Sequence, residues 1–418
     1  MKFKKIIALL LSVACCSAAF AACAKPTDEG ETGGTDLEQE GEYLSYNEDV
    51  LNVEWLGMIT GPDSENRTDQ EYVVGGTDLG IPMYNSKTDT MYLFFGDTFQ
   101  NEKNQTGYWR SNVVGLSKDY DLSDGLTFDG FLAGSSGIAR AVIDGHHADG
   151  FEMTKIPTGA VEVDGVLYMF YFSIRTWTPN SMNYGGAVKS TDNGETWERV
   201  YDMTWVDHDE GGYSADIQRL VNEDIDMQEG GGSIDIAGRA GNTFTQIFPI
   251  DGKDGYIYIL GEGKYRQGGI RMGRVKKENI EIFEEYEYFN GIVDGQPVWL
   301  KGSEGLAVIE ESKKSYIIAD YCSEQSCMYN EYLQKWMVVY LHNNGDGIVY
   351  READNIYGPY SEPKLLVPYD YPFANGVSSI YGGFVHEKYT EQNGKVFYMT
   401  MSQWMPVYNS SLVKITLK

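Results

Sequence analysis

The chain is poor in the residues that several common functions require. It has five cysteines and five histidines among 418 residues. That is too few thiols for a disulfide-dense framework, and only His146 and His147 are adjacent, so no His-type metal site is expected. Basic residues are scarce: 33 Lys and Arg face 62 Asp and Glu, a formal net charge of −29. Phosphate-backbone binding needs concentrated Lys and Arg, so nucleic acid is excluded as a partner. The acidic surface favours solubility and suits a neutral ligand better than a polyanion. Beyond the first 22 residues no apolar run is long enough to cross a bilayer as a helix. A long 3.6-residue apolar period is also missing, which leaves strands as the main element.

The one long apolar run is at the start. Lys2, Lys4 and Lys5 precede Ile6 to Ala22, which ends in Phe20-Ala21-Ala22-Cys23. This pattern predicts a lipoprotein signal over residues 1–22, with Cys23 as the lipid-bearing first residue, and simple cleavage after Ala22 as the alternative. One acylated residue anchors without spanning. Residues 23–49 are rich in Glu, Asp, Gly and Thr and read as a disordered acidic tether. Residues 50–418 then form one domain, expected to be a monomer exported and held at the outer face of the cytoplasmic membrane or the cell surface. Cys322 and Cys327 are the thiols left inside it. Export permits a bridge between them, but an odd separation on one strand points them to opposite faces.

Fourteen Asn-Gly or Asp-Gly pairs punctuate this domain, for example Asp164-Gly165 and Asn393-Gly394. They are tight-turn signals between strands. Very apolar runs recur between them at Met91, Val166, Tyr256, Trp336 and Val396, each followed by a strand ending in charged residues. Five weak repeats of several strands predict an all-β, five-bladed β-propeller, with a β-sandwich or β-helix as the alternative. The run from Ser190 to Trp197, Ser-Thr-Asp-Asn-Gly-Glu-Thr-Trp, fits the Asp-box turn of propeller hairpins, including those of sialidases. It speaks for architecture and not for chemistry. The stretches from Ser123 to Glu152 and Trp205 to Ala240 do not fit the repeat and read as long loops. Asp207, His208, Asp209, Glu210, Asp224 and Asp226 there could ligate calcium, though their spacing matches no standard calcium loop.

Chemistry is suggested first by Asp78 and Asp97. The runs Gly76-Thr77-Asp78-Leu79-Gly80 and Phe95-Gly96-Asp97-Thr98 flank a turn at Lys87-Thr88. A regular hairpin about that turn places the two carboxylates opposite each other, roughly 5 Å apart at Cβ. Such a pair raises one pKa and suits acid/base work, although both residues could equally cap turns.

These motifs, with Arg110-Ser111-Asn112, Tyr265-Arg266, Gly273-Arg274-Val275, Gly358-Pro359-Tyr360, Ser402-Gln403-Trp404 and Tyr408-Asn409, resemble the domain of unknown function 4185 family over nearly all of the domain. The resemblance implies a five-bladed propeller of the glycosidase type. Some actinobacterial members are endo-D-arabinanases, so it implies a furanose-containing polysaccharide or oligosaccharide as substrate.

Glycoside hydrolysis needs an acid for the leaving oxygen and a carboxylate as base or nucleophile. On a propeller axis Asp78 fits the base or nucleophile, with Asp97 tuning it. Glu324, from a distant blade, is the first candidate for the acid, and Glu262 between Gly261 and Gly263 is its competitor. Arg110, Arg175 and Arg266 could bind sugar hydroxyls, Trp177 and Trp404 could stack on sugar rings, and His386 could line the pocket. Gln403 joins this set through the family motif. No cofactor is expected, and a structural calcium stays open. The alternative function is a non-catalytic carbohydrate-binding lipoprotein.

Overall fold

The computed structural model describes residues 47–102, 105–178, 182–207, 214–223, 233–240, 243–263, 266, 268–342, 346–369 and 379–418. The signal segment, Cys23 and most of the tether lie outside the described residues, as do His208, Asp209, Glu210, Asp224, Asp226 and Tyr265.

The first strand, β1 (Val50–Met58), is followed by a single turn of helix, α1 (Thr68–Glu71). Four strands then form an antiparallel meander: β2 (Leu79–Asn85), β3 (Thr90–Phe95), β4 (Val113–Ser117) and β5 (Gly130–Phe131). A second meander follows: β6 (Thr154–Val163), β7 (Val166–Ile174), β8 (Met182–Ser190) and β9 (Glu198–Val206). After α2 (Ser214–Val221) comes a nine-stranded sheet. It holds β10 (Gln246–Asp251), β11 (Tyr256–Glu262) and β12 (Gly268–Lys276), with a side hairpin of β13 (Glu287–Val293) and β14 (Gln296–Lys301). Helix α3 (Gly302–Glu310) leads to its second half: β15 (Tyr316–Asn330), β16 (Lys335–His342), β17 (Gly347–Ala353) and β18 (Lys364–Pro368). The last sheet is β19 (Ile380–Glu391), β20 (Val396–Gln403) and β21 (Asn409–Leu417), completed by β1, which pairs antiparallel with β21. The chain therefore closes on itself, and the outer edge of the final meander is covered by the first strand.

The fold is all-β, as the sequence predicts. The five apolar runs are β3, β7, β11, β16 and β20, and these second strands are among the most buried segments. The first strands of successive meanders touch in a cycle: β2 on β6, β6 on β10, β10 on β15, β15 on β19, and β19 on β2. Their facing side chains, including Ile81, Ile156, Phe248 and Phe384, belong to the main apolar core. The Asp-box closes its own turn as expected. Asp192 accepts from the Thr196 amide and hydroxyl and from Ser190, and Trp197 is half-buried edge-on to Phe94.

Cys322 and Cys327 are both buried and unbridged. Face is not the deciding factor, because a bulge at Glu324 resets the alternation between them. Along one extended strand five residues span about 16 Å, well beyond disulfide reach.

Candidate active site

In an antiparallel meander the start of the first strand lies at the same end as the connection between its second and third strands. One face of the ring thus gathers Asp78, Thr154 and Tyr381 from strand starts. It also gathers Asp97 and Trp109, Arg175 and Trp177, Arg266, and Trp404 and Tyr408 from the connections after β3, β7, β11 and β20.

The expected Asp78–Asp97 pairing is corrected by one residue. Register runs regularly from Asn85↔Thr90 to Ile81↔Phe94 and then slips to Leu79↔Phe95, so that the Gly96 amide bonds the Asp78 carbonyl at 3.1 Å. The bulge is built from Leu79 and Gly80, with φ of +67° and +91°. A non-glycine residue held there is strained, and such strain gathers at functional sites. The surroundings hold it in place. The Thr77 amide donates to the Tyr408 carbonyl at 3.0 Å, the Leu79 amide to Ser402 Oγ at 2.7 Å, and Thr400 Oγ1 to the Gly80 carbonyl at 2.8 Å. The slip puts the Asp78 carboxylate over Gly96, where a Cβ would come within 2.2 Å of Oδ1.

Asp78 is 8% exposed, and Asp97 3%. Tyr381 donates to Asp78 Oδ2 at 2.8 Å, while Oδ1 is buried without a hydrogen-bond partner among the described residues. Burial pushes the Asp78 carboxyl up to about 6; the Tyr381 and Tyr408 hydroxyls pull it down, Glu324 raises it and Arg266 lowers it. Burial likewise raises Asp97 well above the usual carboxylate range, opposed by the hydrogen bond from Thr154 and reinforced by the charge of Asp78. Thr154 Oγ1 and Trp109 Nε1 both donate to Asp97 Oδ1, at 2.6 and 2.7 Å.

Glu324 does not begin its strand but lies inside β15, at a bulge between Ser323 and Gln325. A bulge re-aims a side chain out of the pleat. Its Oε1 takes Nε and Nη2 of Arg266, the former at 3.0 Å, and its Oε2 accepts from Ser323. The Arg266 guanidinium also lies 5.2 Å from the centre of the Tyr381 ring. Glu262 is fully buried; Oε1 accepts the Gly268 amide at 3.1 Å and Oε2 has no hydrogen-bond partner among the described residues. Burial raises it well above its ordinary value, and the charge of Glu324 adds to this. Asp78, Asp97, Glu262 and Glu324 thus form one electrostatically linked group drawn from two sheets, the β2–β5 meander and the nine-stranded sheet.

Other candidates have different surroundings. Arg110 is fully buried, with Nη1 on the Ala139 carbonyl at 2.7 Å and Nη2 on the Val73 carbonyl at 2.5 Å. It fastens two loops together, which corrects the sugar-binding expectation. His386 is five residues beyond Tyr381 on β19, about 16 Å along the strand. Its neighbours Glu387 and Lys388 contact Lys253 and Tyr84, which flank turns at the opposite end of the ring. His386 is therefore not beside Asp78, again a correction. Arg175 is 3% exposed and pairs with Asp216 of α2 at 3.5 Å. Trp177 and Trp404 are half-buried against the main core, and Gln403 is fully buried at the end of β20. Sequence reasoning missed Tyr381, Tyr408, Trp109 and Thr154 as site residues. Tyr408 was visible only within a family motif, and nothing local marks Trp109 or Thr154. Among the described residues no cluster of three His, Cys, Asp or Glu side chains could hold a metal ion.

The scaffold is thus an all-β ring of antiparallel meanders with buried carboxyls converging on one face. The chain belongs to the family described as domain of unknown function (DUF4185), whose model matches residues 63–414. Among curated proteins none matches. Among solved structures, a candidate hydrolase from Bacteroides ovatus ATCC 8483 is 11% identical with a TM-score of 0.51, covering 83% of this chain and 87% of its own. That likeness is one of fold. Two weaker ones are the GH43_1 enzyme from Xanthomonas citri complexed with xylose and the α-L-arabinofuranosidase PaAbf62A from Podospora anserina in complex with cellotriose. The first has 11% identity and a TM-score of 0.44, covering 83% of this chain and 89% of its own. The second has 14% identity and a TM-score of 0.40, covering 87% of this chain and 97% of its own.

Proposed function

We propose that the protein is a glycoside hydrolase acting on a furanose-containing polysaccharide, in the manner of an endo-D-arabinanase. Its cyclic contacts among β2, β6, β10, β15 and β19 support a reading as five propeller blades, with the nine-stranded sheet counted as two. One observation carries the activity. Asp78 sits buried beside a strained bulge with one oxygen free of hydrogen bonds among the described residues, next to Asp97 and electrostatically coupled to Glu324.

In this reading Asp78 is the base or nucleophile. Tyr381 and Tyr408 orient it, and its carboxyl near pH 6 is poised to take or share charge. Burial raises the Asp97 carboxyl well above the usual range, which disfavours a second negative charge in the same space. Glu324 supplies the acid once substrate displaces Arg266, which holds it in the free protein. The lipoprotein-type pattern that ends at Cys23 supports a location at the cell surface, where polymeric glycan is available.

The test is digestion of D-arabinan and a panel of other furanose polymers with the purified domain, followed by chromatography of the products. Cleavage abolished in Asp78→Asn supports the assignment, and cleavage unchanged in that variant removes it. Saturable glycan binding without cleavage would instead favour a carbohydrate-binding lipoprotein.

A further inference from the structure

Asp97 shows an asymmetry that the proposed reaction does not by itself require. Its two hydrogen-bond donors fall on the same oxygen. Thr154 Oγ1 reaches Oδ1 at 2.6 Å and Trp109 Nε1 reaches it at 2.7 Å, whereas no donor meets Oδ2 among the described residues. The two donors come from different parts of the chain, Thr154 from the start of β6 and Trp109 from the β3–β4 connection. Both are firmly held. Thr154 is fully buried and pairs with Ile174 in the β6–β7 ladder. The Trp109 ring packs on His147 at 4.0 Å and on Phe99 at 5.5 Å between centroids. His147 is itself fixed, with Nδ1 3.2 Å from the Met153 carbonyl and Nε2 3.1 Å from Asp144.

We propose that Trp109 and Thr154 are positioning residues that fix Asp97 so that, when it is protonated, its proton resides on Oδ2. An oxygen accepting two hydrogen bonds behaves as the carbonyl of a neutral carboxylic acid. The hydroxyl hydrogen then has only the other oxygen to occupy. A carboxyl group free to rotate or to exchange its proton between oxygens would present its donor in two directions; this one presents it in one. The consequence is a buried acid with a single donor direction beside Asp78, and it rests on the hydrolase reading only for its use in catalysis.

The test uses the full mature domain carrying aspartate labelled with ¹³C at the carboxyl. The Asp97 resonance, assigned by its loss in Asp97→Asn, is followed through a pH titration. In Thr154→Val and in Trp109→Phe the titration is expected to move to higher pH, because each change removes a hydrogen bond that favours the ionised form. Thr154→Ser keeps the hydroxyl and is expected to restore the wild-type curve. On a cleaved glycan, Thr154→Val is expected to lower kcat about tenfold with KM unchanged, the scale of one hydrogen bond felt in the transition state. An Asp97 curve identical in wild type, Thr154→Val and Thr154→Ser would overturn the proposal, whatever Trp109→Phe does to folding. A shifted curve in a protein that cleaves no glycan would uphold the positioning role and remove the hydrolase reading.

Discussion

Tyr381 donates its phenolic proton to Asp78 Oδ2 at 2.8 Å across a separation of 303 residues. The bond stabilises the ionised carboxylate against burial, which otherwise favours the neutral acid. Tyr381→Phe removes it, so the Asp78 pKa rises above about 6. The acidic limb of the kcat/KM–pH profile is then expected to move to higher pH, by up to about one unit for a single neutral hydrogen bond. Tyr408→Phe shifts it in the same direction. A pH–rate profile of each variant on a cleaved substrate is the check, and a limb shifted to lower pH would contradict the stated role.

Asp78 also carries a stability cost whose sign is fixed. Its carboxyl titrates near 6 in the folded protein and near 3.8 when unfolded. Between those values the folded state binds more protons, so stability falls as pH rises through the window and stays at its lower level above it. Asp78→Asn removes that cost. The variant is expected to be more stable than wild type at pH 7 by roughly 2–3 kcal/mol. The gain should vanish well below pH 3.8, where the carboxyl is protonated in both states. Chemical denaturation at the two pH values measures both, while activity is expected to fall by at least about 10²-fold.

Gly96 has no room for a side chain. A Cβ there would lie 2.2 Å from Asp78 Oδ1, and the bulge at Leu79 and Gly80 stops the Asp78 backbone from backing away. Gly96→Ala is expected to rotate the carboxylate off Tyr381 and to lower kcat about as much as losing Asp78's positioning, roughly 10²-fold. A crystal structure of the variant together with its kinetics checks this. Wild-type turnover would show that the carboxylate position is not critical.

Arg110 is a structural residue. Replacing it by Met strands the Val73 and Ala139 carbonyls inside the protein. Each unsatisfied buried group costs about 1–3 kcal/mol, so a loss of roughly 2–5 kcal/mol is expected in urea denaturation. KM measured on the surviving folded fraction should match wild type. A raised KM without loss of stability would reinstate a sugar-binding role.

Cys23→Ser tests the anchor. Wild type is expected in the detergent phase and the variant in the aqueous phase when cells are partitioned with a phase-separating detergent. Equal partition of both would remove the lipid and leave ordinary cleavage after Ala22.

The strand inventory was legible because it rests on local rules. Asn-Gly and Asp-Gly turns bracket apolar runs, and those runs are β3, β7, β11, β16 and β20. Asp78 and Asp97 were legible as candidates because a hairpin brings near positions together. Their exact register was not, since the bulge depends on Ser402, Thr400 and Tyr408 gripping the strand from more than 300 residues away. Arg110 and His386 were misplaced for a related reason. Residue type and nearness to a strand do not reveal whether a guanidinium meets a ligand or a carbonyl, or which end of a twelve-residue strand a side chain occupies.

By itself the sequence determined what the chain is made of: short strands, tight turns, an excess of acidic residues, and two aspartates near one hairpin. Those follow from composition and neighbour spacing, which act over a few residues. Only tertiary structure decided that Tyr381, Glu324, Glu262, Thr154 and Trp109 join those aspartates, and that burial lifts the carboxyls of Asp78, Asp97 and Glu262 out of the ordinary range. Desolvation and long-range hydrogen bonding exist only once the ring has closed, because they depend on which distant segments exclude water from a common point.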